Sequence, residues 1–156
     1  MVKVKVCGIT NLADAEKALE FGADALGFNF YVPSPRCIAP EKARAILDAL
    51  PEHACNVALF VNDSKERVRE ILAGAVLADG RQAYGALQFH GEESEEYCRG
   101  WTLKVIKAFR VKKKNLWKRW RGFPRISTCW IPGRRDTAGR ERHFPGIGWK
   151  DCRRKD

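Results

Sequence analysis

Cys7 closes the alternating run Lys3-Val4-Lys5-Val6-Cys7-Gly8-Ile9-Thr10, whose period of two reads as a β-strand entering a turn and then a helix. A thiol can serve as nucleophile or general base, and α/β proteins place such groups at the carboxyl ends of strands. Three further polar residues occupy comparable places. Arg36 lies in the Ser34-Pro35-Arg36 loop after the second expected strand. Gln88 and His90 end the fourth, two residues apart, so both project from one face. Each has a plain alternative: a small core cysteine, a solvated loop arginine, a structural histidine. The 6 cysteines (Cys7, Cys37, Cys55, Cys98, Cys129, Cys152) form no CxxC pair and no zinc-type spacing with histidine. Free thiols in a reducing, cytoplasmic compartment are therefore expected, and no metal. Cys37, Cys55 and Cys98 suggest no function.

The elements that must position these groups follow a regular rhythm. Asn11 is a helix cap, and Ala15, Ala18 and Leu19 give a short helix ending near Gly22. Residues 23–31 (ADALGFNFY) are almost continuously apolar, as expected of a parallel strand buried on both faces. Pro40 opens a helix with Ala43, Ile46, Leu47 and Leu50 on one stripe. A strand over 55–61, a helix capped by Ser64, a strand over 84–90, a short helix over 94–99 and a strand over 103–111 complete the series. Five strands alternating with four helices imply βα units and a parallel sheet.

The net charge of +10 suggests nucleic acid until it is divided. Residues 1–111 hold 14 Lys+Arg against 15 Asp+Glu, whereas 112–156 hold 15 against 4. Trp117, Trp120, Trp130 and Trp149 also lie in that second segment. Two compositions meet at Lys112. Neither contains an apolar stretch of membrane-spanning length or a secretory leader pattern, so no membrane is expected.

From KVCGIT onward the chain resembles the phosphoribosylanthranilate isomerases of tryptophan biosynthesis, which are (β/α)8 barrels. The resemblance continues through GADALGFNFYVPSPRCI, ALFVN, LQFHGEES and KVIKAFRV, over about residues 2–111. It implies an Amadori rearrangement of N-(5′-phosphoribosyl)anthranilate, an aldose amine, to the ketose amine, with no cofactor. A general acid opens the ribose ring, and a general base then takes the proton from the second sugar carbon. The resemblance puts the base at Cys7 and an anthranilate-carboxylate contact at Arg36, whose guanidinium fork suits that task. It also places Gln88 and His90 among the polar residues lining the site. The partner it implies is the small phosphosugar-anthranilate substrate; the sequence sets no oligomeric state.

The resemblance stops at residue 111. The family's acid, an aspartate on the sixth strand, and the Gly-Gly-Thr-Gly phosphate loop after it are missing, and 112–156 shows no expected periodicity. A (β/α)8 barrel needs at least about 200 residues. The chain thus reads as α/β, of the (β/α)8 TIM-barrel family, with only about the first five βα units present. Residues 1–111 are the amino-terminal part of the barrel and 112–156 a basic, Trp-rich, disordered tail.

The tail has the character of a correct gene read out of frame. With codon choice allowed, the −1 frame over Arg135–Trp149 spells Gly-Tyr-Gly-Gly-Thr-Gly-Glu-Thr-Phe-Ser-Gly-Asp-Trp. The same shift over Ser127–Ile131 spells Tyr-Leu-Leu-Asp, a sixth strand with its acid, and over Lys114–Gly122 a helix. The lysine run at Lys112-Lys113-Lys114 is a run of adenines where a base is easily lost. On this reading the product is inactive as written. Two alternatives are a shortened sugar-phosphate enzyme and a half-barrel carrying a basic nucleic-acid-binding tail. The tail contains no recognisable binding module, so nucleic acid is not the expected partner.

Overall fold

The computed structural model describes residues 3–111 and 127–132. Its strands are β1 (Lys5–Cys7), β2 (Ala25–Asn29), β3 (Asn56–Phe60), β4 (Ala86–Phe89), β5 (Lys104–Val111) and β6 (Ser127–Pro132). Between the first five run helices α1 (Leu12–Glu20), α2 (Pro40–Ala49), α3 (Lys65–Ala73) and α4 (Glu95–Cys98). The strands form one sheet in chain order, every neighbouring pair parallel. Parallel neighbours joined through helices are the repeating unit of a (β/α)8 barrel.

Helices α1, α3 and α4 start where a side chain satisfies an end N–H. Asn11 Oδ1 accepts from Asp14 N at 2.8 Å, and Ser64 Oγ accepts from Arg67 N at 3.1 Å. Pro40 opens α2, where its missing N–H costs nothing. The helices then bury one stripe each: Ala15 from α1, Ala43, Ile46 and Leu47 from α2, Val68 and Ile71 from α3.

Those stripes meet alternate residues of the sheet, among them Leu26, Phe28, Ala58, Phe60, Leu87 and Phe89. Phe28, Phe60 and Phe89 have no exposed surface, and burying each contributes about 1.5–3 kcal/mol. The intervening residues Ala25, Cys55, Val57, Ala86 and Ile106 form a separate cluster on the face away from the helices. β2, β3 and β4 are buried on both faces, which is why their sequences read as apolar runs.

The absence of strand periodicity after residue 111 is corrected at one place. Ser127–Pro132 forms β6, in register with Ile106–Val111 of β5. Thr, Cys, Trp and Ile favour extended backbone, and pairing satisfies the outer hydrogen-bonding groups of β5. The expectation of a disordered tail therefore fails for these six residues. Residues 112–126 and 133–156, on which the rest of that expectation falls, lie outside the described residues. Among the described residues no helix is long and apolar enough to cross a membrane.

Candidate active site

Cys7 is the last residue of β1 and is half-buried. It stands opposite Gly27 of β2, and a Cβ on Gly27 would lie 2.8 Å from Cys7 Sγ and 2.7 Å from Lys5 Nζ. Gly27 is thus a place where only a bare backbone leaves room for the thiol. Because Gly27 alternates with Leu26 and Phe28, which face the helices, both Cys7 and Lys5 project from the opposite face. In a (β/α)8 barrel that face is the interior.

After Cys7 the chain turns at Gly8, whose φ of 91° lies in the left-handed region that glycine adopts without strain. Both Gly8 N and Ile9 N donate to Gly27 O, at 2.8 and 3.0 Å, which fixes the turn to β2. Gly8 also admits Arg36. A Cβ there would meet Arg36 Cδ at 2.6 Å. The guanidinium crosses this gap and donates from Nη1 to Cys7 O at 2.8 Å. Arg36 itself is held by a turn in which Ser34 Oγ accepts from Arg36 N at 3.2 Å. Two residues far apart in sequence, Cys7 and Arg36, are thereby joined through the Cys7 carbonyl at the carboxyl end of β1.

Gln88 and His90 stand on the far side of β2 and β3. Gln88 belongs to β4 and pairs with Leu59 and Ile106. It is 4% exposed, and its Oε1 has no hydrogen-bond partner among the described residues. An unsatisfied buried carbonyl is costly, so a donor is expected to reach it in the working molecule. His90 follows directly, its backbone N donating to Phe60 O at 2.9 Å. Alternation places both on the face shared with Cys7. The four expected residues thus share one sheet face or one end, with Arg36 and Cys7 in contact and Gln88 and His90 two strands away.

A buried ionic staple beside His90 leaves no local pattern in the sequence that would pair its residues. Glu93 Oε1 accepts from Asn62 N at 2.7 Å, and Glu93 Oε2 accepts from Gly91 N at 2.9 Å and Lys107 Nζ at 2.8 Å. Lys107 Nζ also donates to Gly91 O at 2.6 Å. Asn62 has a φ of 52°, and its Oδ1 accepts from Glu92 N at 2.7 Å. One carboxylate and one ammonium thus fix the loops after β3 and β4 at the end where His90 emerges. The available signal was Lys107 itself, a charge inside the otherwise apolar strand KVIKAFRV.

The remaining described thiols differ in setting. Cys98 is 2% exposed, and burial pushes its thiol up to about 11, which keeps it protonated and unreactive at neutral pH. Among the described residues no three His, Cys, Asp or Glu side chains converge as a metal site would require.

Known proteins resemble the chain in sequence and in fold. The family model for N-(5′-phosphoribosyl)anthranilate (PRA) isomerase matches residues 4–125. N-(5′-phosphoribosyl)anthranilate isomerase of Desulforudis audaxviator is 52% identical over 111 residues, covering 71% of this chain and 50% of the relative. That of Trichlorobacter lovleyi is 47% identical over 112 residues, covering 72% and 51%. The chain therefore spans about half the length of the curated relatives it matches. The crystal structure of phosphoribosyl anthranilate isomerase from Thermotoga maritima superposes with a TM-score of 0.78 at 36% identity, covering 92% of this chain and 68% of that one. A structure of the isomerase in complex with reduced 1-(o-carboxyphenylamino)-1-deoxyribulose 5-phosphate gives 0.76 at 37% identity, covering 86% and 66%. With the parallel strand order and these matches in agreement, the chain belongs to the N-(5′-phosphoribosyl)anthranilate isomerase family.

Proposed function

We propose that this chain carries the base-bearing half of a phosphoribosylanthranilate isomerase and is inactive as written. The intact enzyme converts N-(5′-phosphoribosyl)anthranilate to its ketose amine in tryptophan biosynthesis. In this reading Cys7 removes the proton from the second sugar carbon. Arg36, beside it, takes the anthranilate carboxylate through a charge-assisted fork. Gln88 and His90 line the wall opposite, where the unsatisfied Gln88 Oε1 accepts a hydrogen bond from a substrate hydroxyl or amine.

The observation that carries the proposal is the contact of Arg36 Nη1 with Cys7 O, 2.8 Å. It ties the proposed carboxylate-binding group to the backbone of the residue that bears the proposed base. A bound relative supports the substrate class, since its ligand is a reduced carboxyphenylamino-deoxyribulose phosphate.

Inactivity follows from what the chain has in place of an acid. Proton delivery to the ring oxygen requires a group opposite Cys7, and general acid catalysis typically contributes about 10²–10⁴-fold. The −1 frame over Ser127–Ile131 supplies an aspartate at the end of the segment that forms β6. Resequencing the gene across Lys112–Lys114, with complementation of a tryptophan auxotroph, tests the whole reading. Growth is expected with the frame-restored gene and not with the gene as written. A −1 frame without the Gly-Gly-Thr-Gly codons, or growth on the unaltered gene, refutes it.

A further inference from the structure

His90 follows the last residue of β4, where the ladder that orients a strand's side chains ends. The direction of its Cβ is set by the two peptide groups that flank its Cα, and both are held. In the peptide before it, His90 N donates to Phe60 O at 2.9 Å, and Phe89 O accepts from Lys107 Nζ at 3.5 Å. In the peptide after it, Gly91 N donates to Glu93 Oε2 at 2.9 Å, and beyond that Gly91 O accepts from Lys107 Nζ at 2.6 Å. Three of these four bonds end on one buried ion pair, Glu93 with Lys107. Lys107 alternates in β5 with Ile106, which faces away from the helices. The ammonium therefore stands on the helix side of the sheet, behind the face that His90 shares with Gln88.

We propose that Glu93 and Lys107 are positioning residues for the isomerisation: from behind the sheet they fix the direction in which His90 enters the site. The inference rests on the reading of His90 as a residue that lines that site. Stability alone does not account for a charged pair here. Buried apolar side chains of similar volume would serve at least as well, since an enclosed ion pair roughly repays its own desolvation. They could not accept from Gly91 N and Asn62 N, or donate to Phe89 O and Gly91 O. Charge-assisted bonds are short and strong, and rates fall steeply when a group that meets the substrate is displaced by about 1 Å. Asn62 N, in the loop after β3, donates to the other Glu93 oxygen at 2.7 Å. His90 is thus held relative to β3 as well as β4.

Spectroscopy and kinetics test this. In the full 156-residue chain carrying isotope-labelled histidine, the imidazole resonances of His53 and His90 are assigned through His53→Gln and His90→Gln. Lys107→Met and Glu93→Gln should each split the His90 resonance or move it toward its position in urea, and leave that of exposed His53 in place. Ile46→Ala, which opens a cavity beneath α2 and also lowers stability, should leave both in place. In the frame-restored protein Lys107→Met should lower kcat/KM by about tenfold or more, and should add little to the loss in His90→Gln, because both act through one group. A His90 resonance unmoved by Lys107→Met and Glu93→Gln, or moved equally by Ile46→Ala, overturns the proposal. So does a kcat/KM loss that adds fully to that of His90→Gln. If circular dichroism shows that Lys107→Met does not fold, the milder Glu93→Gln carries both measurements. A His90→Gln enzyme at the parent rate would overturn the reading of the site and the catalytic part of this proposal with it, whereas the spectra bear on the positioning alone.

Discussion

Lys107 Nζ and Glu93 Oε2 lie 2.8 Å apart, with side chains only 3% and 2% exposed. A fully enclosed pair of this kind repays its desolvation only because every remaining valence is used, and here it is: Glu93 takes two backbone N–H groups and Lys107 donates to Gly91 O. Removing one partner leaves the other charge stranded. Glu93→Ala should cost about 3–5 kcal/mol in urea unfolding, and Glu93→Gln with Lys107→Met together should cost less than Glu93→Ala alone. A loss under about 1 kcal/mol for Glu93→Ala would mean that water reaches the pair.

Gly91 lies within the same staple, and a Cβ there would meet the Asn62 side chain and, at 2.8 Å, Asn62 N. Neither can retreat without breaking the bonds from Asn62 N to Glu93 and from Glu92 N to Asn62 Oδ1. Gly91→Ala should therefore destabilise by about 1–3 kcal/mol through overpacking. Amide exchange should rise at residues 62 and 91–93 before it rises in β2. Unchanged exchange there would show that the two loops are held by something else.

Thiol chemistry separates the cysteines. At pH 8 iodoacetamide should label half-buried Cys7 and Cys37 in the native chain and spare Cys98, whose thiol burial pushes up to about 11. The same shift gives a pH dependence of stability. Between about pH 9 and 11 the unfolded chain has released the Cys98 proton and the native chain has kept it, so stability falls as pH rises through that window. Compared with Cys98→Ala, the original chain should show the steeper decline in urea midpoint. Parallel declines would place the Cys98 thiol in contact with water.

How much of this could be read from the chain depended on whether the cause was local. The apolar runs around Phe28, Val57 and Leu87 reported burial on both faces, and Asn11, Pro40 and Ser64 marked three helix starts through capping chemistry. Strand limits contracted by a residue or two, since flanking residues such as Ala23 and Tyr31 are apolar without joining the ladder. β6 was missed because its backbone bonds are made to β5, a relation no local period records. The site divides the same way. Cys7, Arg36, Gln88 and His90 are candidates that contiguous motifs suggest, whereas the Glu93–Lys107 staple becomes visible only once strands are side by side.

Arg36 offers a test of geometry against charge. In the frame-restored protein, Arg36→Lys keeps the positive charge but loses the fork that reaches Cys7 O while presenting a second N–H edge outward. Steady-state kinetics should show a rise in KM of about tenfold or more with Arg36→Lys, and a larger one with Arg36→Met. Equal KM values for the lysine variant and the parent would remove Arg36 from the carboxylate site.

The proposed role of Cys7 as the base is tested most directly by turnover of N-(5′-phosphoribosyl)anthranilate by purified frame-restored protein with and without Cys7→Ser. The substitution is small and lies opposite Gly27, so the fold should persist, as circular dichroism would verify. A fall in kcat of about 10²–10⁴-fold with KM little changed is the predicted result. A Cys7→Ser enzyme that turns over at the parent rate would contradict it.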